Sequence, residues 1–368
     1  MSGDWFFNLR NRLLGNPGFR RFAEKTPLLQ SIARDRAYDL FAMAGGFIHS
    51  QVLGSCVRLG VFEALQQGPL EAEDLATRCG LPADRALHLF RAASALRLLE
   101  ARPDGRFGLG VLGAATTDNP SILSIIRHHE GLYRDLASPD DLFRGEADGQ
   151  EMQALWPYAT SEEPGALEAE DVGVYTTLMA TSQAMVAEQV LAAYSFRDHR
   201  RLIDIGGGAG AFVRAVYEQW PHLKPTVADL PGVANLARTD LEGRGLANAI
   251  EVVAADVTAD EIPTGYDVVS LVRILHDHDD DMAAAFIRAA RRAVTDDGVL
   301  LVAEPMADAP GAGPLIDAYF NVYLLAMGSG RPRRSDELKA MLAEGGFSRQ
   351  RTIRTRIPLI TSLIAASP

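Results

Sequence analysis

The segment Leu202-Ile-Asp-Ile-Gly-Gly-Gly-Ala-Gly210 constrains the fold of this 368-residue chain more than any other feature. A hydrophobic run ends on four glycines, and a helical pattern follows. Glycines at such a point let a ligand approach the backbone where a strand turns into a helix. Apolar runs then recur at 201–205, 225–229, 250–254, 266–271 and 298–304, with helical stretches between them. Strand–helix alternation of this kind predicts a mostly parallel, doubly wound α/β sheet. Residues 349–366 read as two further strands, the last expected to start at Pro358.

Acidic residues fall at the carboxyl ends of successive strands, the edge at which doubly wound sheets bind ligands. Asp204 precedes the glycines. Asp229 follows in Val227-Ala-Asp-Leu-Pro-Gly232, 23 residues after Gly206, where a carboxylate can accept both hydroxyls of a ribose. Asp256 lies in Ala254-Ala-Asp-Val257 and can receive an adenine amino group. The fourth strand runs into Leu271-Val-Arg-Ile-Leu-His-Asp-His-Asp-Asp-Asp281, which puts His276 at the same edge. Imidazole is the usual protein base near neutrality, so His276 is the candidate proton acceptor. The acidic run 279–281 stands at a helix start and suits the helix dipole; no metal site is expected.

Asp204-Ile-Gly-Gly-Gly-Ala-Gly210, Asp229-Leu-Pro231, Ala255-Asp256 and Arg273-Ile-Leu-His-Asp277 together resemble the O-methyltransferases of plant caffeate and bacterial polyketide and pigment metabolism. The resemblance covers about residues 37–366. It implies a class I methyltransferase sheet with its last strand antiparallel, an N-terminal winged-helix dimerisation domain, and S-adenosylmethionine as methyl donor, leaving S-adenosylhomocysteine. It places Asp204, Gly206, Gly208, Gly210, Asp229, Leu230, Asp256, Val257 and Arg273 around the donor. It makes His276 the general base, oriented by Glu304, and puts Asp317 and Asn321 on the helix that closes the acceptor pocket. Two positions depart from the pattern: His278 stands where the family usually has Trp, and the family's second acid falls near Pro332, in Gly330-Arg-Pro-Arg-Arg334, which has no carboxylate.

The N-terminal half fits the same frame. Helical apolar spacing covers 37–99, and the stretch 75–99 resembles a helix-turn-helix. The stretch 100–109, with Pro103-Asp104-Gly105 at its middle, predicts the wing hairpin. The second helix has only a weak basic face, and the chain's net charge is −12, so nucleic acid is not an expected partner. Residues 116–200 read as a helical region whose Trp156 and Met179, within a stripe including Tyr133, Phe143, Met152, Tyr158, Tyr175 and Met185, either form core or line an apolar pocket.

Residues 1–36 read as a separate arm with seven Arg/Lys and three acids, net +4 against −16 for the remainder. Its aromatic-plus-basic mix suits either packing on protein or contact with an anionic membrane. No unbroken apolar run reaches the ~18 residues of a membrane span. No signal peptide is read, and two cysteines cannot build a disulfide framework, so a cytoplasmic location is expected, with the arm peripheral to the inner or photosynthetic membrane. The arm itself, Asp4-Trp-Phe-Phe-Asn-Leu-Arg-Asn-Arg12, with Ser50-Gln-Val-Leu53 and Cys56-Val-Arg58, resembles the carotenoid O-methyltransferases of purple photosynthetic bacteria. That resemblance implies a homodimer and an apolar acceptor, the tertiary 1-hydroxyl of hydroxyneurosporene or demethylspheroidene. A polyketide phenol, a bacteriochlorophyll-type ring, or a non-catalytic ligand-sensing role are the alternatives.

Overall fold

The structure is a computed structural model that describes residues 3–157, 161 and 164–368. The chain divides into two compact units, 1–117 and 118–368.

The first unit opens with α1 (Gly3–Gly15), α2 (Pro17–Lys25) and α3 (Pro27–Arg58). The Asn16 side chain caps α2 by accepting the N–H groups of Gly18 and Phe19 at 2.7 and 3.1 Å, and prolines open α2 and α3 where their missing N–H costs nothing. The expected boundary at residue 36 falls inside α3, which runs unbroken through it. By length and composition α3 is apolar enough to cross a membrane. The expectation of no such segment counted only unbroken runs, whereas α3 mixes small residues and glycines among its apolar ones.

Then come α4 (Val61–Ala64), α5 (Ala72–Arg78), α6 (Ala83–Ala95), the antiparallel hairpin β1 (Leu99–Ala101) and β2 (Phe107–Leu109), and α7 (Val111–Ala114). Phe62, Leu75, Phe90, Leu99 and Phe107 are buried among them, and the Phe90 and Phe107 rings lie 5.5 Å apart. This is the helix-turn-helix with wing that the sequence predicts. Aromatic and aliphatic side chains of α1–α3 stay exposed instead, among them Trp5, Phe6, Phe7, Phe22, Phe41, Met43 and Phe47.

The second unit begins with α8 (Pro120–Asp135), α9 (Pro139–Arg144), α10 (Glu151–Leu155) and α11 (Ala169–Ala193). The α/β part follows: β3 (Arg201–Ile205), α12 (Ala211–Gln219), β4 (Lys224–Asp229), α13 (Pro231–Gly243), β5 (Glu251–Ala254), β6 (Tyr266–Val272), α14 (Asp280–Ala293), β7 (Val294–Glu304), α15 (Gly313–Met327), α16 (Ser335–Glu344), β8 (Arg349–Ile353) and β9 (Ser362–Ser367). The seven strands lie in the order β5-β4-β3-β6-β7-β9-β8, and β9 alone runs antiparallel to its neighbours.

Alternate residues point to opposite faces. Ile203, Ile205, Leu300, Val302 and Ile364 pack with α14 and α16, while Leu202, Val268, Leu301, Ala303 and Leu363 pack with α11 and α12. The chain's order reverses between β3 and β6, so the loops leaving these strands form the ligand-binding crevice. The last strand starts at Ser362, not at Pro358. It pairs on both sides, with β7 and β8, and proline has no N–H to give such a ladder.

Candidate active site

The loop after β3 owes its course to glycine. Gly206 and Gly208 have φ of +73° and +57°, the left-handed region that side chains disfavour. A Cβ on Gly206 would also lie 2.4 Å from Ile274 Cδ1, so any side chain there would collide with the loop after β6. The bare backbone of residues 206–208 forms one wall of a cavity of about 540 Å³.

The acids of the first three strands take different places. Asp229 lines the cavity and accepts N–H groups from Gly208 at 2.7 Å and Leu230 at 2.8 Å. Burial raises its pKa to about 6 against those two hydrogen bonds, which stabilise the charged form. Asp256 also lines the cavity; its Oδ1 accepts the Thr258 N–H and hydroxyl at 2.8 and 2.6 Å. Asp204, expected beside the ligand, does not line the cavity. It is 1% exposed and takes the Ser270 hydroxyl at 2.6 Å, and burial pushes its pKa to about 7 despite that bond, with Asp229 adding to the rise. Its place beneath the loop makes it a support for the site. Gly210 likewise stands back from the cavity as the N-cap of α12, while Gly207, Leu230 and Val257 line it.

Past β6 the backbone turns sharply at Arg273, which has φ +58°, a strained conformation for a residue with a side chain. Its N–H bonds to the Ala303 carbonyl at 2.9 Å, and its guanidinium bonds to Ser182 Oγ at 2.7 Å and Met179 Sδ at 3.1 Å, fixing it on the cavity wall. The turn delivers residues 274–276 to Glu304 at the end of β7. One oxygen of Glu304 accepts the N–H groups of Ile274 and Leu275 at 3.0 and 2.7 Å; the other meets His276 Nδ1 at 2.5 Å. The pairing expected between His276 and Glu304 is thus present, buried, with His276 3% and Glu304 2% exposed.

A second carboxylate is also present, from a position the sequence did not indicate. Asp277 Oδ1 lies 3.0 Å from His276 Nε2. Burial works against the imidazolium, but Asp277 and Glu304 outweigh it and raise the His276 pKa to about 9. Where the family's second acid would stand, Arg333 is buried instead and donates to the carbonyls of Leu275 and His278 and to Asp280. Gly330 closes the same clamp, with φ +82° and a backbone so near His276 that a Cβ would lie 2.2 Å from its carbonyl oxygen. His278 stacks on Phe286, ring centroids 5.0 Å apart, and faces Trp156 at 5.6 Å, so an aromatic ring still fills the place usually held by tryptophan.

Of the two readings open for this stripe, Trp156 and Met179 lie on the cavity wall, with Tyr175, Met282 and Phe286 as further apolar lining. Met152 is core, Phe143 is exposed, and Tyr158 lies outside the described residues. Asp317 and Asn321 do not reach the cavity. The Asn321 amide donates to Asp317 Oδ1 at 2.8 Å on an exposed side of α15, while Ile316, Tyr323 and Met327, turned to another side of the helix, are buried. Residues four apart share a helix face, and here the helix phase turns that face outward.

Comparison with known proteins agrees with this geometry. Residues 154–348 match an O-methyltransferase domain, and residues 41–115 match an O-methyltransferase dimerisation domain. The chain is 37% identical over 355 residues to the demethylspheroidene O-methyltransferase of Cereibacter sphaeroides, covering 96% of this chain and 93% of that one. It is 36% identical over 362 residues to the enzyme of the same name from Rhodobacter capsulatus, covering 98% and 89%. Among solved structures, the mitomycin 7-O-methyltransferase shares the fold with a TM-score of 0.72 and 26% identity, over 92% of this chain and 99% of that one. The human N-acetylserotonin methyltransferase in complex with SAM matches with a TM-score of 0.74 over 90% and 97%, at 24% identity. A glycine-walled crevice with carboxylates at its rim, a buried histidine–glutamate pair beside it and these matches along nearly the whole chain lead to one conclusion: the protein belongs to the O-methyltransferase family and is an S-adenosylmethionine-dependent enzyme.

Proposed function

We propose that the acceptor is an acyclic carotenoid bearing a tertiary 1-hydroxyl, of the hydroxyneurosporene or demethylspheroidene type. The observation that carries this reading is the 36–37% identity, along nearly the full chain, to two enzymes named for demethylspheroidene. The apolar lining by Trp156, Tyr175, Met179, Met282 and Phe286 supports it, since a long hydrocarbon needs a surface of this kind.

The residues present suit the methyl donor. Gly206 and Gly208 offer open backbone to its amino-acid portion, Asp229 and Leu230 hold the ribose, and Asp256 and Val257 hold the adenine. Arg273, fixed by Ser182 and Met179, shapes the wall between donor and acceptor. When bound, S-adenosylmethionine supplies an activated methyl group and keeps the released electron pair on sulfur. The chain's contribution is alignment, which in well-oriented reactions is worth roughly 7–11 kcal/mol. The His276–Glu304 pair, with Asp277, forms the centre where the hydroxyl proton is taken up. A tertiary alcohol is too weak an acid to ionise beforehand, so proton removal accompanies attack.

The enzyme works as a homodimer through residues 41–115, which covers Phe41, Met43 and Phe47 of α3. It works in the cytoplasm, at the membrane that dissolves its acceptor. Trp5, Phe6, Phe7 and Phe22, exposed among Arg10, Arg12, Arg20 and Arg21 on α1 and α2, suit the interface of an anionic bilayer. The test is incubation with methyl-trideuterated S-adenosylmethionine and detergent-solubilised 1-hydroxyneurosporene, read by mass spectrometry. A labelled methoxy product, lost in His276→Ala, is expected. No product from an enzyme that binds the donor would overturn the carotenoid acceptor and leave phenols and tetrapyrroles.

A further inference from the structure

Resting on the placement of adenine at Asp256 and Val257 given above, we infer that His278 binds the adenine ring of the donor through the edge of its imidazole. The imidazole is flanked by two rings. It stacks on Phe286, with centroids 5.0 Å apart and planes 27° off parallel, and Trp156 faces it at 5.6 Å. Its backbone is fixed as well, because the His278 carbonyl accepts the Arg333 guanidinium at 2.9 Å. A ring held in this way has little freedom to turn its polar edge elsewhere.

That edge is uncommitted. His278 lines the cavity, and its ring nitrogens are not sealed in the core. Among the described residues neither nitrogen has a hydrogen-bond or ion-pair partner. Asp229, Asp256, Arg273 and Asp279 on the same wall are each already bonded to the protein. Polar groups out of bulk water are normally paired, so an unpaired edge on a ligand cavity marks where polar atoms of the ligand arrive.

The neighbours of His278 identify those atoms. Phe286 belongs to the core against which Val257, Ile274 and Met282 pack, and a Cβ on Gly206 would lie 3.7 Å from its ring. His278 therefore shares a wall with the glycine loop and with Val257, the adenine side of the cavity. The charged and titratable groups around the imidazole are Asp277 and His276 in its own loop, Glu304 on β7 and Arg333. Burial outweighs the two carboxylates and holds its pKa below the usual value, so the ring is neutral at pH 7.5. A neutral imidazole offers one N–H and one lone pair, whereas the tryptophan usual at this place offers an N–H alone. Adenine presents the matching set, an amino donor beside ring-nitrogen acceptors.

The test is calorimetric binding of S-adenosylhomocysteine and of four analogues at pH 7.5. Three carry 1-deaza-, 3-deaza- or 7-deazaadenine, and the fourth lacks the 6-amino group. His278→Phe keeps an aromatic ring but loses both nitrogens. It should weaken S-adenosylhomocysteine by ~10-fold and remove the penalty that wild type shows for one of the analogues. His278→Gln, which restores a donor and an acceptor, should recover part of the affinity. Equal weakening of all five ligands by His278→Phe would reduce His278 to packing and overturn the proposal. Unchanged S-adenosylhomocysteine affinity with a raised KM for 1-hydroxyneurosporene would also overturn it and give His278 to the acceptor. Nitrogen-15 NMR of histidine-labelled wild-type protein tests the contact without relying on a variant's stability. The His278 ring nitrogens should shift when S-adenosylhomocysteine binds, and unmoved signals would contradict the contact. Asp256→Ala with unchanged S-adenosylhomocysteine affinity would instead count against the adenine placement beneath it.

Discussion

Replacing Arg333 with methionine tests whether the catalytic loop is held by the arginine clamp. The Arg333 side chain is 1% exposed, and it donates to the carbonyls of Leu275 and His278 as well as to Asp280. Hydrogen bonds to charged groups are worth about 1.5–3 kcal/mol each, so the two buried carbonyls account for about 3–6 kcal/mol. Asp280 is 59% exposed and regains water when the arginine is gone, so its pairing adds only ~0–1 kcal/mol. Methionine fills much of the volume and returns part of the loss, which leaves a net destabilisation of about 3–5 kcal/mol. At ~2–4 °C per kcal/mol for a unit of this size, the midpoint of thermal unfolding should fall by roughly 6–20 °C. Differential scanning calorimetry measures this directly. Arg333→Lys should recover part of the loss, because an ammonium cannot fork to two carbonyls at once. An Arg333→Met protein within about 1 kcal/mol of wild type would refute the clamp.

Two further outcomes follow from the buried acids. Asp204 has its pKa raised to about 7 in the folded protein, so between about pH 4 and 7 the folded state holds a proton that the unfolded state has lost. Stability should therefore fall as pH rises through that window, by about 2–4 kcal/mol, and Asp204→Asn should flatten the fall in urea titrations at pH 5 and pH 8; an unchanged slope would contradict the assignment. Asp229→Ala should weaken S-adenosylhomocysteine binding by ~10²-fold in calorimetry, and wild-type affinity should decline below about pH 6 as the carboxylate is protonated; unchanged affinity would remove Asp229 from the ribose site.

The parts of this protein legible in its sequence are those decided by local chemistry. The glycines after Ile205 can serve a left-handed turn, and the alternation of apolar strands with amphipathic helices admits little besides a doubly wound sheet. The chain-order reversal then follows, and with it the edge where Asp229, Asp256 and residues 273–278 meet. The histidine–glutamate pairing needed the resemblance as well, because 28 residues separate the partners.

Tertiary structure decided the rest. Asp317 and Asn321 sit on the expected helix, but a helix's phase is set by what it packs against, and Ile316, Tyr323 and Met327 took the inner side. The family's spacing puts a second acid near Pro332, whereas the carboxylate that reaches Nε2 belongs to Asp277, the residue next in the chain, turned there by the strained backbone at Arg273 and the clamp from Arg333. Asp204 matched its motif and still ended beneath the loop, on Ser270. Sequence spacing specifies which residues arrive at the same sheet edge. The direction each side chain then faces depends on packing and on hydrogen bonds to residues far along the chain, such as Ser182, 91 positions from Arg273, and that is settled only when the chain has folded.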